Sequence, residues 1–262
     1  MSSALARSRK ARAAQDYVCE WLFRPLAHVV VLALAPLRVP PPLVVCASGA
    51  AGVAGAVELA RGHLVAAALL VQLKTVLDNA DGQLARLTGR VTAFGRYLDS
   101  EMDLVVDAAL FAALGWRSGH AALALAGFLA LTTVLSVNFN LERLHRGGIA
   151  SPDGPGRATA ALRRVYALLY GPQDRLVERF VEWRLRGRGE AERREYHDRA
   201  TVAVLANLGM SPQLLVFGVL AAVGHPLAFA WVALAELGLV AVLFLRREAL
   251  LRGRPVPEQE VT

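Results

Sequence analysis

Apolar residues fill several long stretches of this chain, and short polar segments interrupt them. Each long stretch approaches the roughly 20 residues that a helix needs to cross about 30 Å of hydrocarbon. Basic or turn-forming residues separate the stretches, as expected of a chain that crosses a membrane repeatedly. The pattern predicts an all-α integral membrane fold with six transmembrane helices, at roughly 43–60, 64–85, 97–116, 120–141, 200–223 and 227–245.

A shorter apolar stretch lies ahead of the first span. Its core, Val29 to Pro36, is too short to cross the hydrocarbon region, and basic residues flank it. We expect it to form an N-terminal amphipathic helix in the membrane interface. The prolines at 40–42 should end this helix and begin the next, because proline suits the first helical turn and disrupts a helix interior.

Small residues mark the first span. Gly49, Gly52 and Gly55 recur at every third position. Because glycine places no side chain between two backbones, this rhythm is typical of a helix that packs closely against its neighbours. The alternative interpretation is a span that is only weakly hydrophobic.

One long segment, residues 143–199, separates the fourth and fifth spans. It opens with a glycine- and proline-rich stretch from Gly147 to Gly156, which predicts turns. The remainder places apolar residues at helical spacing between Arg and Glu, which indicates an amphipathic helix. We expect this helix to lie along the membrane surface.

Composition and charge agree with this interpretation. Hydrophobic residues make up 55% of the 262 residues, and the mean hydropathy is +0.40. The net charge of +7 arises from 29 Lys+Arg against 22 Asp+Glu. The basic residues are concentrated in both terminal segments, the loop 86–96 and the segment 143–199. Because cytoplasmic loops are rich in Lys and Arg, we expect these segments and both termini in the cytoplasm of a multi-pass plasma-membrane protein. No aromatic stacking platform accompanies the basic residues, which argues against a nucleic-acid partner.

The boundaries follow from the same pattern. The N-terminal arm has no short apolar region followed by a small-residue cleavage site, so we expect no cleaved signal peptide. Cys19 and Cys46 have no metal-ligand spacing and predict no disulfide framework. The predicted parts are a basic arm with the interfacial helix (1–41), a six-span domain that includes the insertion 143–199 (42–246), and a polar C-terminal tail (247–262).

Four aspartates lie near the ends of the second and third spans, where charge is costly. Asp78 and Asp81 share one face of a helix, and Asp99 and Asp103 share a face of the next, since residues three and four apart are neighbours. The stretch between them contains Thr88-Gly89 and can turn the chain back. Two adjacent antiparallel helices would then bring four carboxylates together at the cytoplasmic ends of both spans.

This arrangement predicts a metal site. Four converging carboxylates cannot all ionise unpaired, and oxygen ligands select hard divalent ions, so we expect two ions of Mg²⁺ or Mn²⁺. Two such ions bridged by aspartates form a phosphoryl-transfer site. On the same stripe, Gly82 and Ala85 leave room for a bulky ligand, and Arg86 can bind phosphate oxygens bidentately.

The stretch resembles the signature of the CDP-alcohol phosphotransferase family: D-x-x-D-G-x-x-A-R, eight residues, then G-x-x-x-D-x-x-x-D. The resemblance implies an enzyme that moves a substituted phosphate group from a CDP-linked donor to an alcohol and releases CMP. It favours a phosphatidyl group from CDP-diacylglycerol, in phospholipid biosynthesis. Every fixed position is matched, at Asp78, Asp81, Gly82, Ala85, Arg86, Gly95, Asp99 and Asp103.

The resemblance also implies a role for each of these residues. Asp103 is the candidate general base, Arg86 binds the diphosphate, and Gly95 is interpreted as a helix-packing position. The implied metal ligands are Asp78, Asp81, Asp99 and Asp103. The implied nucleotide-binding residues are Asp78, Asp81, Gly82, Ala85 and Arg86.

The chain departs from the family pattern just before the first span. Many relatives carry Pro-Asn-x-x-Thr there, which contributes to the nucleotide pocket. Here the corresponding residues are Pro41-Pro42-Leu43-Val44-Val45, so the Asn and Thr are absent.

The acceptor is expected to face Asp103 from the cytoplasmic side. Candidate acceptor-binding residues are Asn138, Arg143 and Arg199. Arg146 could join the two arginines in holding an acceptor phosphate, but the arginines also fit a simple positive-inside bias. Lys74 is expected to face the pocket or another helix rather than lipid. Asp107, one turn beyond Asp103, is expected either to support the site from behind Asp103 or to pair with another helix.

Several alternatives stay open at this point. The same chemistry could use a soluble donor such as CDP-inositol. The protein could instead be a divalent-cation transporter that uses the carboxylates. The Gly, Ala and Arg frame argues against this alternative, because an ion pathway does not need it. The segment 143–199 could bind the acceptor or form dimer contacts, and the resemblance makes a homodimer plausible.

Overall fold

The computed structural model describes residues 14–145, 156–189, 192, 193, 196 and 198–252. These residues form helices and the turns between them, without a strand, which confirms the all-α prediction. A π-helical turn, Cys19–Phe23, leads directly into the first α-helix. The helices are α1 (Arg24–Leu34), α2 (Pro41–Arg61), α3 (Leu64–Leu87), α4 (Ala93–Ser118), α5 (Ala121–His145), α6 (Arg157–Leu169), α7 (Gly171–Arg184), α8 (Arg199–Ala206), α9 (Met210–Ala222) and α10 (Ala228–Arg252).

Four segments of the described chain are long and apolar enough to cross a membrane. They are Pro41–Arg61, Ala121–His145, Arg199–Ala222 and Ala228–Ala249, and the third of them combines α8 and α9. The other two predicted spans coincide with α3 and α4, whose charged residues lower their hydropathy. Four spans are thus supported by length and composition, and the count of six stays a prediction.

Helix α1 packs on the helix that carries the first two aspartates. Its buried face, with Ala27 and Val31, meets Ala80 and Leu84 of α3. The opposite face exposes apolar side chains such as Val29. Its place in the membrane interface stays a prediction. The expected break is confirmed, because Pro40 is extended and Pro41 opens α2.

The glycines of α2 bring three helices into close contact, as their spacing predicted. A Cβ at Gly49 would lie 2.9 Å from the Met102 sulfur, and a Cβ at Gly55 would lie 3.1 Å from Val71. At Gly52 it would lie 2.5 Å from Val106 and 3.1 Å from the Lys74 side chain. Helix α2 therefore lies directly against α3 and α4, on the side where Lys74 enters the bundle.

A short turn joins α3 to α4 and sets the register between them. Gly89 adopts a φ of +66°, a conformation that side chains rarely permit, and the Arg90 amide donates back to the Ala85 carbonyl. Thr92 then caps α4, because its hydroxyl oxygen accepts from the Gly95 amide at 3.1 Å. The chain reverses within five residues, and the aspartates of the two helices face one another.

The long segment between α5 and α8 folds onto the bundle. Its described residues include the helices α6 and α7, which confirms the predicted helical pattern. The predicted turns at 147–156 lie almost wholly outside the described residues. Helix α6 packs against α4, and Val181 of α7 joins a buried cluster with Leu205 and Val240. Arg184 forms an ion pair with Glu248 that ties α7 to α10.

We predict that Gly52→Ala lowers thermal stability. The new Cβ would press on Val106 and Lys74, and overpacking of this kind costs about 1–3 kcal/mol. Unfolding of the purified protein in detergent, followed by size-exclusion with fluorescence detection, measures the change. Gly238→Ala is the matched control, since nothing lies within 4 Å of a Cβ there. Equal melting temperatures for the two variants would contradict the close packing of α2.

Candidate active site

Three of the four signature aspartates meet at one point. One carboxylate oxygen from each of Asp78, Asp99 and Asp103 lies within 4.8 Å of the others. All three side chains are partly exposed, so the point is accessible from outside the bundle. Asp81 does not belong to this group. It is buried one turn along α3 and lines a neighbouring cavity beside Asp99.

Lys74 neutralises part of this charge from within the bundle. Its side chain is 1% exposed, and Nζ donates to Asp78 Oδ1 at 2.8 Å and also to Asp103 Oδ1. The ammonium thus bridges the two helices that carry the aspartates. This confirms the expectation that Lys74 faces the pocket or another helix rather than lipid, since it pairs with Asp103 of the next helix.

A first cavity, of about 310 Å³, opens on one side of the aspartates. Asp78 and Asp103 line it together with residues of α5 to α9 and of the segment before α1. Asp107 lines it as well, one turn beyond Asp103, and is 3% exposed. We refer to this space as the acceptor-side cavity because it contains the candidate base.

A second cavity, of about 400 Å³, opens on the other side. It contains the glycine, alanine and arginine frame of the signature, so we refer to it as the signature-side cavity. Ser100, Phe139 and Tyr166 line both cavities and thus lie where they adjoin. The signature residues on its wall are Asp81, Gly82, Ala85, Arg86, Gly95 and Asp99.

Gly82 makes room for the arginine that follows it. A Cβ there would lie 3.2 Å and 3.3 Å from the two terminal nitrogens of the Arg86 guanidinium, closer than most such contacts. The interpretation of Gly95 as a helix-packing position is wrong. A Cβ there would meet only its own cap, Thr92, within 4 Å, and Gly95 instead lines the signature-side cavity.

The wall formed by the start of α2 is apolar. Pro41, Pro42 and Val45 line the signature-side cavity where many relatives place Asn and Thr. The sequence departure therefore falls on the cavity itself. A ligand on this side meets van der Waals contacts in place of hydrogen bonds.

Sequence reasoning left acceptor binding by the segment 143–199 as an alternative but named no residue of α6 or of the turn that follows it. Tyr166 and Tyr170 line the acceptor-side cavity, with ring centroids 4.9 Å apart, and the Tyr170 hydroxyl donates to the Ser100 carbonyl at 3.2 Å. The Tyr166 hydroxyl donates to Asp174 at 3.3 Å, and Asn140 also donates to that carboxylate. Burial and then the neighbouring Asp174 raise the pKa of Tyr166, so its hydroxyl remains a donor. The amphipathic pattern predicted this helix, but nothing in it indicated the partner surface.

The N-terminal segment closes the acceptor-side cavity. Asp16 lines it and accepts from the Cys19 amide at 2.9 Å. Asn207, just after α8, holds this segment by accepting from the Tyr17 amide and donating to the Gln15 carbonyl. Asp16 is a single acidic residue at the end of a basic arm, and nothing in the sequence around it indicates that it lines a cavity.

The three predicted acceptor residues occupy different places. Asn138 lines the acceptor-side cavity. Arg143 forms an ion pair with Glu178 and donates to Asn140, and it is not among the lining residues. Arg199 is exposed at the start of α8, and Arg146 lies outside the described residues. Acceptor roles for these residues stay predictions.

The sequence profile that describes the CDP-alcohol phosphatidyltransferases matches residues 37–184, more than half of the chain. The chain belongs to this family. The match covers the complete aspartate signature and the helices from α2 to α7. It therefore includes Tyr166 of α6 and Tyr170 just after it, which line the acceptor-side cavity.

Curated relatives in this family share part of their length with this chain. Phosphatidylinositol phosphate synthase of Mycobacteroides abscessus is 30% identical over 137 residues, which cover 50% of this chain and 62% of that protein. Archaetidylinositol phosphate synthase of Methanothermobacter thermautotrophicus is 32% identical over 130 residues, with the same coverage of 50% and 62%. The Corynebacterium glutamicum phosphatidylinositol phosphate synthase is 35% identical over 98 residues, 36% of this chain and 45% of that protein. The chain thus spans less than two thirds of each, and no solved structure matches it.

The residues present fit the divalent ions that this family uses. The donors are carboxylate oxygens, which suit a hard cation. Asp81 Oδ2 is buried without a hydrogen-bond partner among the described residues, as expected of an oxygen whose natural partner is an ion. The identity and number of ions belong to the proposal below.

We predict that Lys74→Met destabilises the protein when divalent ions are chelated. Removing the ammonium leaves Asp78 and Asp103 facing each other without their cation, and breaking a buried pair costs about 3–5 kcal/mol. Thermal unfolding in EDTA should show the loss, and Mn²⁺ should restore more stability to the variant than it adds to the parent protein. The double variant Lys74→Met/Asp103→Asn should recover part of the loss in EDTA. Equal stability of parent and single variant would exclude this role.

Proposed function

We propose that this protein transfers a phosphatidyl group from CDP-diacylglycerol to the hydroxyl of a small alcohol and releases CMP, as a step of phospholipid biosynthesis. The observation that carries the proposal is the position of the aspartates between two cavities. The signature-side cavity presents the frame that binds CDP in this family, and the acceptor-side cavity contains the candidate base. A site that joins two substrates needs this arrangement.

The donor is assigned to the signature-side cavity. Arg86 grips the diphosphate, while Gly82 and Ala85 leave space for the nucleotide. The apolar wall of Pro41, Pro42 and Val45 packs on the donor where hydrogen bonds are absent. Cytidine recognition by this protein therefore depends more on shape than in relatives with a polar wall.

The acceptor reacts from the opposite side. Asp103 takes the proton from the acceptor hydroxyl as the oxygen forms its bond to the phosphatidyl phosphorus and the bond from that phosphorus to CMP breaks. Asp78, Asp81 and Asp99, with Asp103 as a further ligand, hold two ions of Mg²⁺ or Mn²⁺, which offset phosphate charge when bound. Lys74 keeps Asp103 oriented toward the cavity through its hydrogen bond.

The membrane arrangement is part of the proposal. Helices α3 and α4 contain 24 and 26 residues, enough to cross hydrocarbon, and they carry charge only because the site requires it. The end of α4 and the start of α10 line one cavity, with Trp231 beside Arg117 and Ser118, and Trp116 is 82% exposed. Exposed tryptophans at one level are typical of a membrane interface. We therefore infer six spans in the plasma membrane, with the active site and both termini cytoplasmic, while a homodimer stays a prediction.

Cysteine labelling tests this topology. In a background with Cys19→Ser and Cys46→Ser, we expect His63→Cys and Ser118→Cys to react with a membrane-impermeant maleimide in intact cells. Arg90→Cys should react only after permeabilisation, because α3 and α4 would each cross the bilayer. Labelling of all three positions from the same side would show that these helices do not cross.

Replacing the site carboxylates should abolish turnover. We expect Asp78→Ala and Asp103→Asn to reduce CMP release from CDP-diacylglycerol in nanodiscs by at least 100-fold, because proton transfer and charge stabilisation are both lost. Glu58→Gln, at the far end of α2, is the matched carboxylate control and should retain activity. Full activity in both site variants would overturn the mechanism. Turnover of soluble CDP-inositol in place of the lipid would reassign the donor.

A further inference from the structure

Asp107 is a buried carboxylate that lines the acceptor-side cavity. Its side chain is 3% exposed, and it makes no hydrogen bond or ion pair with the described residues. A buried ionised carboxylate without a partner is costly. Because Asp107 lines the cavity, it is placed to pair with a cationic group of a molecule that occupies the cavity.

The rest of the acceptor-side cavity is also lined by acidic residues. Asp16, Glu142 and Asp174 line it, and its described lining residues include no lysine, arginine or histidine. The rings of Tyr166 and Tyr170 also line it. Carboxylates and aromatic rings together attract an ammonium group, whereas a phosphate would be repelled.

The position of Asp107 suggests the size of the acceptor. Asp103 and Asp107 are four residues apart on α4, so their Cβ atoms are neighbours at about 5–6 Å. A short molecule with a hydroxyl at one end and an amine two carbons away can reach both carboxylates at once. The hydroxyl then lies at the base, and the ammonium lies at Asp107.

We propose that the acceptor is a short amino alcohol without a phosphate group, and that Asp107 binds its ammonium. This inference rests on the proposed transferase function and specifies its second substrate class. It differs from the inositol phosphate products for which the curated relatives are named. Asp107 has its effect through acceptor binding, so its loss should change KM for the amine and leave the reaction of an uncharged alcohol largely intact.

The test uses full-length protein in nanodiscs with CDP-diacylglycerol and Mn²⁺, and measures CMP release. The acceptors are ethanolamine, its uncharged counterpart ethylene glycol, glycerol 3-phosphate and inositol 1-phosphate. We expect kcat/KM for ethanolamine to exceed that for ethylene glycol by at least 10-fold and the two phosphates to give no turnover. Higher kcat/KM for either phosphate than for ethanolamine would overturn the inference and leave the proposed function standing.

The variant Asp107→Asn sharpens the test. We expect it to raise KM for ethanolamine by at least 10-fold, with kcat/KM for ethylene glycol and KM for CDP-diacylglycerol within 2-fold of the parent. An equal loss with both alcohols would indicate a structural role and overturn the assignment of Asp107. If the variant does not fold, the comparison of ethanolamine with ethylene glycol in the parent protein decides. Absence of CMP release with every acceptor, together with absence of Mn²⁺-dependent binding of CDP-diacylglycerol, would overturn the proposed function itself.

Discussion

The repulsion among carboxylates inside an apolar helix bundle is the constraint on which this structure depends. Asp78, Asp99 and Asp103 bring three oxygens within 4.8 Å of one another. Lys74 offsets part of this charge through ion pairs with Asp78 and Asp103. The glycines of α2 then allow the neighbouring helices close enough for Lys74 to reach both carboxylates. Close helix packing and charge compensation at this point therefore depend on each other.

Much of this arrangement could be predicted from local sequence. The helix positions, the break at Pro40, the close packing of α2 and the facing aspartates follow from periodicity, proline and glycine, which act over a few residues. Asp81 shows the limit of the same reasoning. Helical spacing put it with the other three carboxylates; it lies outside the group of three oxygens within 4.8 Å but lines the signature-side cavity beside Asp99, and its role as a metal ligand stays a prediction.

Contacts between distant parts of the chain were beyond sequence reasoning. Tyr166 of α6 and Tyr170 just after it reach the site because α6 packs on α4. An amphipathic pattern looks the same whether its apolar face meets lipid or protein. Asp16 is held beside the cavity because the backbone of its neighbours, Gln15 and Tyr17, forms hydrogen bonds with Asn207. Asn207 lies 190 positions further along the chain than Tyr17. Arg143 illustrates the converse. Its charge suggested that it binds an acceptor phosphate, yet its guanidinium forms an ion pair with Glu178.

The two cavities are built from different parts of the chain. The signature-side cavity is lined mainly by α2 and by α3 and α4, which contain the family signature. The far wall of the acceptor-side cavity comes from α5 to α9 and the N-terminal segment. Ser100, Phe139 and Tyr166 alone are common to both among the described lining residues. Substitutions on the far wall can therefore change which alcohol is accepted without disturbing the donor or the reaction centre. Such a division would allow enzymes with one reaction centre to produce many different lipid headgroups. The signature then identifies the type of reaction but does not identify the product.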